Sequence, residues 1–208
     1  MKRAEDRRIR RTRQALRSAL VDLVLEKGFR PLTVEEIIER ADIARATFYA
    51  HYQDKEDLLV GIVRDLTNDR ERVLPAVEQA QAEGFTGLPV RYVFQHAEQE
   101  KPLYQIVLRG EGDGRALREF NAILCERVEQ VFRQRAEHLG AAPRVPLDVI
   151  VRAWTGELLG VLTWWLENDT GYSAEEVTAH LRDLSVYGRA WASGLAPADV
   201  PGAADARS

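Results

Sequence analysis

Cysteine is almost missing from this chain of 208 residues: Cys125 stands alone, so no intrachain disulfide can form. A chain of this length can bury a real core without such staples, and a lone cysteine is expected to be a buried, small apolar side chain. No apolar run reaches the ~18 residues that a membrane span needs, and none follows the basic N-terminus as it would in a secretory signal. A cytoplasmic protein without a membrane partner is the expectation. Histidine is scarce as well. His51, His96, His138 and His180 are scattered, without metal-ligand spacing. The glycine-rich segment GEGDG, residues 110–114, lacks both the Lys-Ser/Thr and the preceding strand of a phosphate loop. Carboxylate pairs such as Glu35–Glu36 fall on solvated helix faces. No strand-like run and no internal repeat is visible. An enzyme is therefore not expected, and neither is a cofactor or a metal.

What the chain does have is charge, unevenly spread. The net charge is -4, yet residues 1–17 hold eight Lys/Arg against Glu5 and Asp6. Residues 1–52 are net positive and the remainder strongly negative. A basic front on an acidic body suggests a polyanionic partner at one end only.

Apolar residues recur at helical spacing nearly throughout. Ile9, Leu16, Ala19, Leu20, Leu23 and Val24 mark a first helix, and Gly28 suits its C-terminal cap. In TVEE, Thr33 is placed to cap a second helix with Glu36 as its capping-box partner. ADIA, residues 41–44, is a tight connection to a third helix around 44–52. Asp54, with Asp57 three positions on, starts a fourth. Beyond residue 74 the spacing predicts helices over 74–83, 87–100, 102–109, 114–138, 146–168 and 174–194. Lys101-Pro102 marks a break, and SAEE at 173–176 is a second capping box. A tail from 196 to 208, rich in Ala, Pro, Asp and Gly, is expected to be disordered. The fold class is all-α.

Two short helices joined by a tight turn, after a longer helix, form a helix-turn-helix arrangement. RATFYAHYQDK, residues 45–55, looks like one aromatic cluster, but a helix splits it into two faces. Phe48 and Tyr52 share the inward side, while Arg45, Thr47, Tyr49 and His51 point outward. Such an outward row suits a helix docked in a DNA groove: Arg can read guanine O6/N7 bidentately, and Thr, Tyr and His can donate to phosphates.

TVEEIIERADIARATFYAHYQDKEDLL, residues 33–59, resembles the DNA-binding domain of TetR/AcrR-family transcriptional regulators. Thr33, Thr47, Phe48, Tyr49, His51, Tyr52, Lys55, Leu58 and Leu59 match the family pattern in type and register. The resemblance implies an N-terminal DNA-binding domain over 1–54 and a helical effector-binding and dimerisation domain over 55–195. It implies a homodimer on a double-stranded, palindromic operator, most simply a repressor released by an unknown small-molecule effector. It gives Thr33 and the start of its helix a phosphate, Arg45, Tyr49 and Thr47 the major groove, and His51 and Lys55 the phosphate backbone. Arg8 and Arg11 to Arg13 are expected to reach the flanking backbone or the minor groove. Two positions depart from the pattern: Asp42 stands where glycine is usual in the turn, and Ala44 where a polar side chain is usual. Those substitutions, with Ala46 and Ala50, favour the alternative reading, a helical protein-interaction module that keeps the fold without sequence-specific DNA binding.

In the body, the resemblance points to an effector pocket among the middle helices. Phe94, Tyr104, Phe120, Leu124, Cys125 and Trp154 are candidate walls, with His96 and Arg109 as polar anchors. For the dimer, AWTGELLGVLTWWLEN at 153–168 places Gly156 and Gly160 at i,i+4, which allows close helix approach. Trp164 and Trp165 occupy adjacent faces, so one packing surface cannot bury both. Leu158, Val161, Trp165, Leu181, Leu184, Tyr187 and Trp191 are the expected interface, a four-helix arrangement with the symmetry mates.

Overall fold

The computed structural model describes residues 2–67, 88–140 and 142–194. Its described helices are α1 (Lys2–Lys27), α2 (Val34–Ala41), α3 (Arg45–Tyr49), α4 (Lys55–Thr67), α5 (Leu88–Gln99), α6 (Lys101–Leu108), α7 (Arg115–Leu139), α8 (Leu147–Glu167) and α9 (Ala174–Ala192). The expected helix at 74–83 and the expected tail at 196–208 lie outside the described residues. Among those residues, no helix is long and apolar enough to cross a membrane.

The punctuation follows local chemistry. Gly28 closes α1, its N–H donating to the Val24 carbonyl at 2.8 Å. Thr33 caps α2 through a full capping box, its N–H and hydroxyl both donating to Glu36 and its oxygen accepting from the Glu36 N–H. Asp54 Oδ1 accepts from the Asp57 N–H at 2.6 Å, and Asp57 returns the contact to the Gln53 N–H, so α4 starts as the sequence predicts. Ser173 and Glu176 form the same reciprocal pair before α9. Pro102 lies in the first turn of α6, where its missing N–H costs nothing.

The apolar stripes meet in one core that runs without interruption from α1 to α9. Leu16, Leu20 and Ile37 are fully buried with Phe48, and so are Leu58 and Val63 of α4. Each such side chain contributes about 1.5–3 kcal/mol by leaving water. α4 then packs along α7, and α7 along α8, which ties the first three helices to the body through a shared interior. Two glycines are required by this packing. A Cβ at Gly61 would lie 2.6 Å from Tyr52 Cε1, and one at Gly112 would lie 2.7 Å from Phe29 Cε1. GEGDG thus presses on the connection between α1 and α2. Near its end α9 is interrupted at Gly188, whose φ of 85° is not helical.

Candidate nucleic-acid interface

The α2–α3 corner depends on one residue with a left-handed backbone. Asp42 takes φ 50°, ψ 50°. Its N–H donates to the Glu39 carbonyl and the Ile43 N–H reaches back to Ile38, both at 3.2 Å. This pair of bonds is the Schellman arrangement that usually selects glycine, with Ile38 and Ile43 supplying its apolar contact. The corner survives without glycine because a short polar side chain visits this region at modest cost. No side chain caps α3.

α3 is shorter than the expected 44–52, so His51 and Tyr52 follow its end, and the expected division holds for Phe48, Tyr52, Arg45, Tyr49 and His51 but not for Thr47. Phe48 is fully buried and Tyr52 nearly so, their rings 5.8 Å apart. Arg45, Tyr49 and His51 are exposed, together with Ala44, Ala46 and Ala50, whereas Thr47 is half-buried. Tyr49 stands edge-on against Phe48 at 5.3 Å, so its ring is held upright from below. The Arg45 guanidinium lies 5.5 Å from the centre of that ring. It also pairs with Glu35 at 3.1 Å, a contact that no local sequence signal announces. Both partners are more than half exposed, so the pair is worth ~1 kcal/mol or less. A bidentate base contact is worth roughly 1–3 kcal/mol, so Glu35 does not sequester Arg45.

Thr33 is exposed at the start of α2, with its hydroxyl already used twice by Glu36. The Glu36 carboxyl is pushed down to about 2, first by the Lys27 ammonium bonded to it and then by the Thr33 N–H and hydroxyl. Lys55 departs from expectation. Its ammonium donates to the carbonyls of Phe29 at 2.9 Å, Arg30 at 3.0 Å and Leu32 at 2.8 Å, and lies 4.8 Å from the Phe29 ring centre. All three donors are occupied. Lys55 therefore staples the α1–α2 connection and is not held out toward a phosphate. The basic helix divides too. Arg13 turns back to Asp65 at 3.1 Å, while Arg8, Arg10 and Arg11 remain exposed.

The body candidates separate into three places. His96, Tyr104 and Phe120 come together: His96 Nδ1 is 3.1 Å from the Tyr104 hydroxyl, and Tyr104 stands edge-on to Phe120 at 5.8 Å. Leu124 is buried on α7, whereas Cys125 is only half-buried, its Sγ 3.7 Å from Asn121 Oδ1, because it falls one position off the buried stripe. Phe94 instead packs on Trp165 at 5.4 Å. Trp154 lines a groove among α5, α8 and α9, with its indole N–H on Ser185. Arg109 is no pocket anchor: it is half-exposed at the surface and paired with Glu167 at 2.9 Å.

The expected dimer set needs the same kind of correction. Leu158, Trp165 and Leu181 are buried within the chain. The Trp165 indole N–H also donates to the Tyr172 carbonyl at 2.8 Å. Val161 and Leu184 are half-buried, Tyr187 is exposed, and the Trp191 side chain lies outside the described residues. The outward tryptophan is Trp164. It shares an exposed strip of α8 with Gly160, Gly156 and Val149, and Val186 and Tyr187 are exposed on α9. A Cβ at Gly156 or Gly160 would meet nothing within this chain.

A helix-turn-helix head with an Arg/Tyr/His face, joined through a common core to a helical body, defines the class: helix-turn-helix regulators. Residues 16–62 match the family model for bacterial regulatory proteins of the tetR family, and residues 90–186 match one for a transcriptional regulator C-terminal region. Two Bacillus subtilis relatives are uncharacterized HTH-type transcriptional regulators. YxbF is 43% identical over 60 residues, 28% of this chain and 16% of its own length. YdeS is 35% identical over 86 residues, 41% of this chain and 38% of its own length. The chain thus spans well under half of either relative. Among solved structures, FadR from Bacillus subtilis in complex with stearoyl-CoA superposes with a TM-score of 0.69 at 20% identity, covering 85% of this chain and 98% of that one. A TetR transcriptional regulator from Streptococcus agalactiae gives 0.61 at 22%, covering 88% and 98%. These two likenesses show the fold. The chain belongs to the TetR family of bacterial transcriptional regulators, which is a family of regulators and not of enzymes.

Proposed function

We propose that this chain is a homodimeric repressor that binds a palindromic DNA operator and leaves it when a small molecule enters the body. The observation that carries the reading is the divided third helix. Phe48 and Tyr52 fix it from behind, while Arg45, Tyr49 and His51 face outward from a rigid platform. Arg45 and Tyr49 are the base readers, and the exposed Ala44, Ala46 and Ala50 suit apolar contact with thymine methyls. Arg8, Arg10 and Arg11, the Thr33 end of α2 and His51 serve the phosphates. Two copies of α3 set about one DNA turn apart, ~34–36 Å, would read the two half-sites.

The second copy docks on the exposed face of α8 and α9, centred on Gly156, Gly160 and Trp164, with Val186 and Tyr187 alongside. Small residues there admit a close helix approach, and the exposed Trp164 and Tyr187 side chains supply apolar area. The effector acts by differential affinity: it must favour the conformation whose α3 helices no longer match the operator spacing.

Fluorescence anisotropy against labelled duplex DNA tests the reading. Binding to random duplex should weaken linearly in log salt, and Arg45→Ala should relax preference at one base position in a selected-site library. An unchanged specificity profile in Arg45→Ala would remove Arg45 as base reader. No binding even at low salt would remove the regulator reading and leave a protein-interaction module.

A further inference from the structure

Four helices and a corner between two of them bring polar groups together in the interior between head and body. Arg17 comes from α1, Tyr92 and His96 from α5, Glu100 from the α5–α6 corner, Tyr104 from α6 and Arg127 from α7. Tyr92 stacks on His96 at 5.9 Å, and His96 bonds to Tyr104. Arg17, Glu100, Tyr92 and Arg127 all act electrostatically on the Tyr104 hydroxyl. Buried polar atoms are nearly always hydrogen-bonded, so each exception calls for an explanation. Two exceptions fall in this cluster. The Tyr92 hydroxyl is buried without a partner. Arg17 Nη2 is buried 2.8 Å from Glu100 Oε2 but lacks the angle for a hydrogen bond. The guanidinium nitrogen can only donate, and the Tyr92 hydroxyl can donate.

Arg127 adds a second guanidinium group. It is half-buried, and its hydrogen bond among the described residues goes to the neutral Thr67 carbonyl. Burial pulls its guanidinium below the usual value. Burial likewise pushes the Tyr104 phenol up, so it stays protonated and can donate. Among the described residues, the carboxylate paired within the cluster is Glu100, against the two guanidinium groups of Arg17 and Arg127. Glu126, exposed on the outer side of α7, is screened by water. Phe120 and Leu124, both buried, provide apolar walls.

We propose that this cluster is a binding site for a carboxylate carried on an apolar body, its oxygens accepting from Tyr92 and from the Arg17 and Arg127 guanidinium groups. The proposal rests on the effector-responsive reading above and gives that effector its chemical class. One monoanion adds a counter-charge for the two guanidinium groups and an acceptor for the buried Tyr92 hydroxyl. A protonated amine does neither, and a neutral alcohol supplies an acceptor without the charge. Because Arg17 belongs to α1, the ligand competes with Glu100 for a side chain of the DNA-binding head. Occupancy is thereby coupled to the placement of that helix.

Calorimetric titration of the full chain with octanoate, octanamide and octylamine tests this, and it needs no DNA. Octanoate should bind saturably and the amine should not. Tyr92→Phe and Arg127→Gln should each weaken octanoate by roughly tenfold or more, the usual effect of losing a hydrogen bond to a charged group. Tyr92→Phe also removes a buried orphan, so the free protein should be as stable as the parent or more so. A purely structural tyrosine predicts the reverse pair of results. Equal binding of amine and carboxylate, no binding of octanoate, or an unchanged affinity in Tyr92→Phe would overturn the site, and ordered water would then be what satisfies the orphans. A parallel anisotropy measurement separates the two readings. Loss of DNA binding at every salt concentration refutes the regulator and leaves the titration to decide the site. Carboxylate binding that leaves DNA affinity unchanged refutes the coupling through Arg17.

Discussion

Replacing Lys55 with methionine separates two roles that one side chain cannot fill together. Methionine keeps most of the aliphatic stem and removes the ammonium. Three carbonyls then lose a donor, and two of them, on Phe29 and Leu32, are part-buried. The Arg30 carbonyl is exposed and turns to water. Each part-buried carbonyl left alone costs about 1 kcal/mol, the low end of the range because water partly reaches it. The cation over the Phe29 ring contributes ~0.5–1 kcal/mol more. The expected loss is about 2–3 kcal/mol, or roughly 4–12 °C in melting temperature for a chain of this size. Calorimetry reads the stability and anisotropy reads the salt dependence of DNA binding. If Lys55 is a staple, the slope of log K against log salt stays unchanged, because no phosphate contact is lost. If it holds a phosphate, the slope falls by about 0.9 while the melting temperature stays near the parent's. That second pair of results would refute the reasoning from the carbonyl cage.

Three further outcomes follow from the same geometry. Asp42→Gly should stabilise the chain by roughly 0.5 kcal/mol in urea titration, left-handed strain of ~1 kcal/mol being partly offset by the freer unfolded glycine, ~0.5 kcal/mol; DNA should also bind more tightly as a carboxylate leaves the turn. The folded Glu36 value of about 2 lies below its ordinary 4.5, so its contribution is full above that ordinary value and is lost as pH falls toward 2. Acid unfolding followed by circular dichroism should therefore be shallower across that window in Glu36→Gln. Trp164→Glu should yield a folded monomer in light scattering, whereas Trp165→Glu should unfold the chain; a dimeric Trp164→Glu protein would remove the proposed interface.

Features set by neighbours in sequence were legible before any coordinates. Thr33 with Glu36, Asp54 with Asp57 and Ser173 with Glu176 are three residues apart, and that spacing alone defines a cap. The split of Phe48 and Tyr52 from Arg45 and Tyr49 follows equally from helical geometry. Lys55 was misread because its acceptors lie 23 to 26 residues earlier, brought to it by the turn after α1. Trp164 and Trp165 illustrate another limit: periodicity says that adjacent residues diverge, but only the position of Phe94 on α5 decides which one is inside. The polar cluster draws on four helices and a corner, none of which carries a signal of its own.

Arg115 grips Asp54 with Nη2 at 2.9 Å from both oxygens and holds Asp113 through Nε. Asp54 is also the carboxylate on which α4 begins. One acid group therefore serves as a corner post shared by the reading head and the first turn of α7. Both sides of the pair are about two-fifths exposed, which limits it to ~1 kcal/mol, less than twice the thermal energy. Such a joint behaves as a friction clutch and not as a weld.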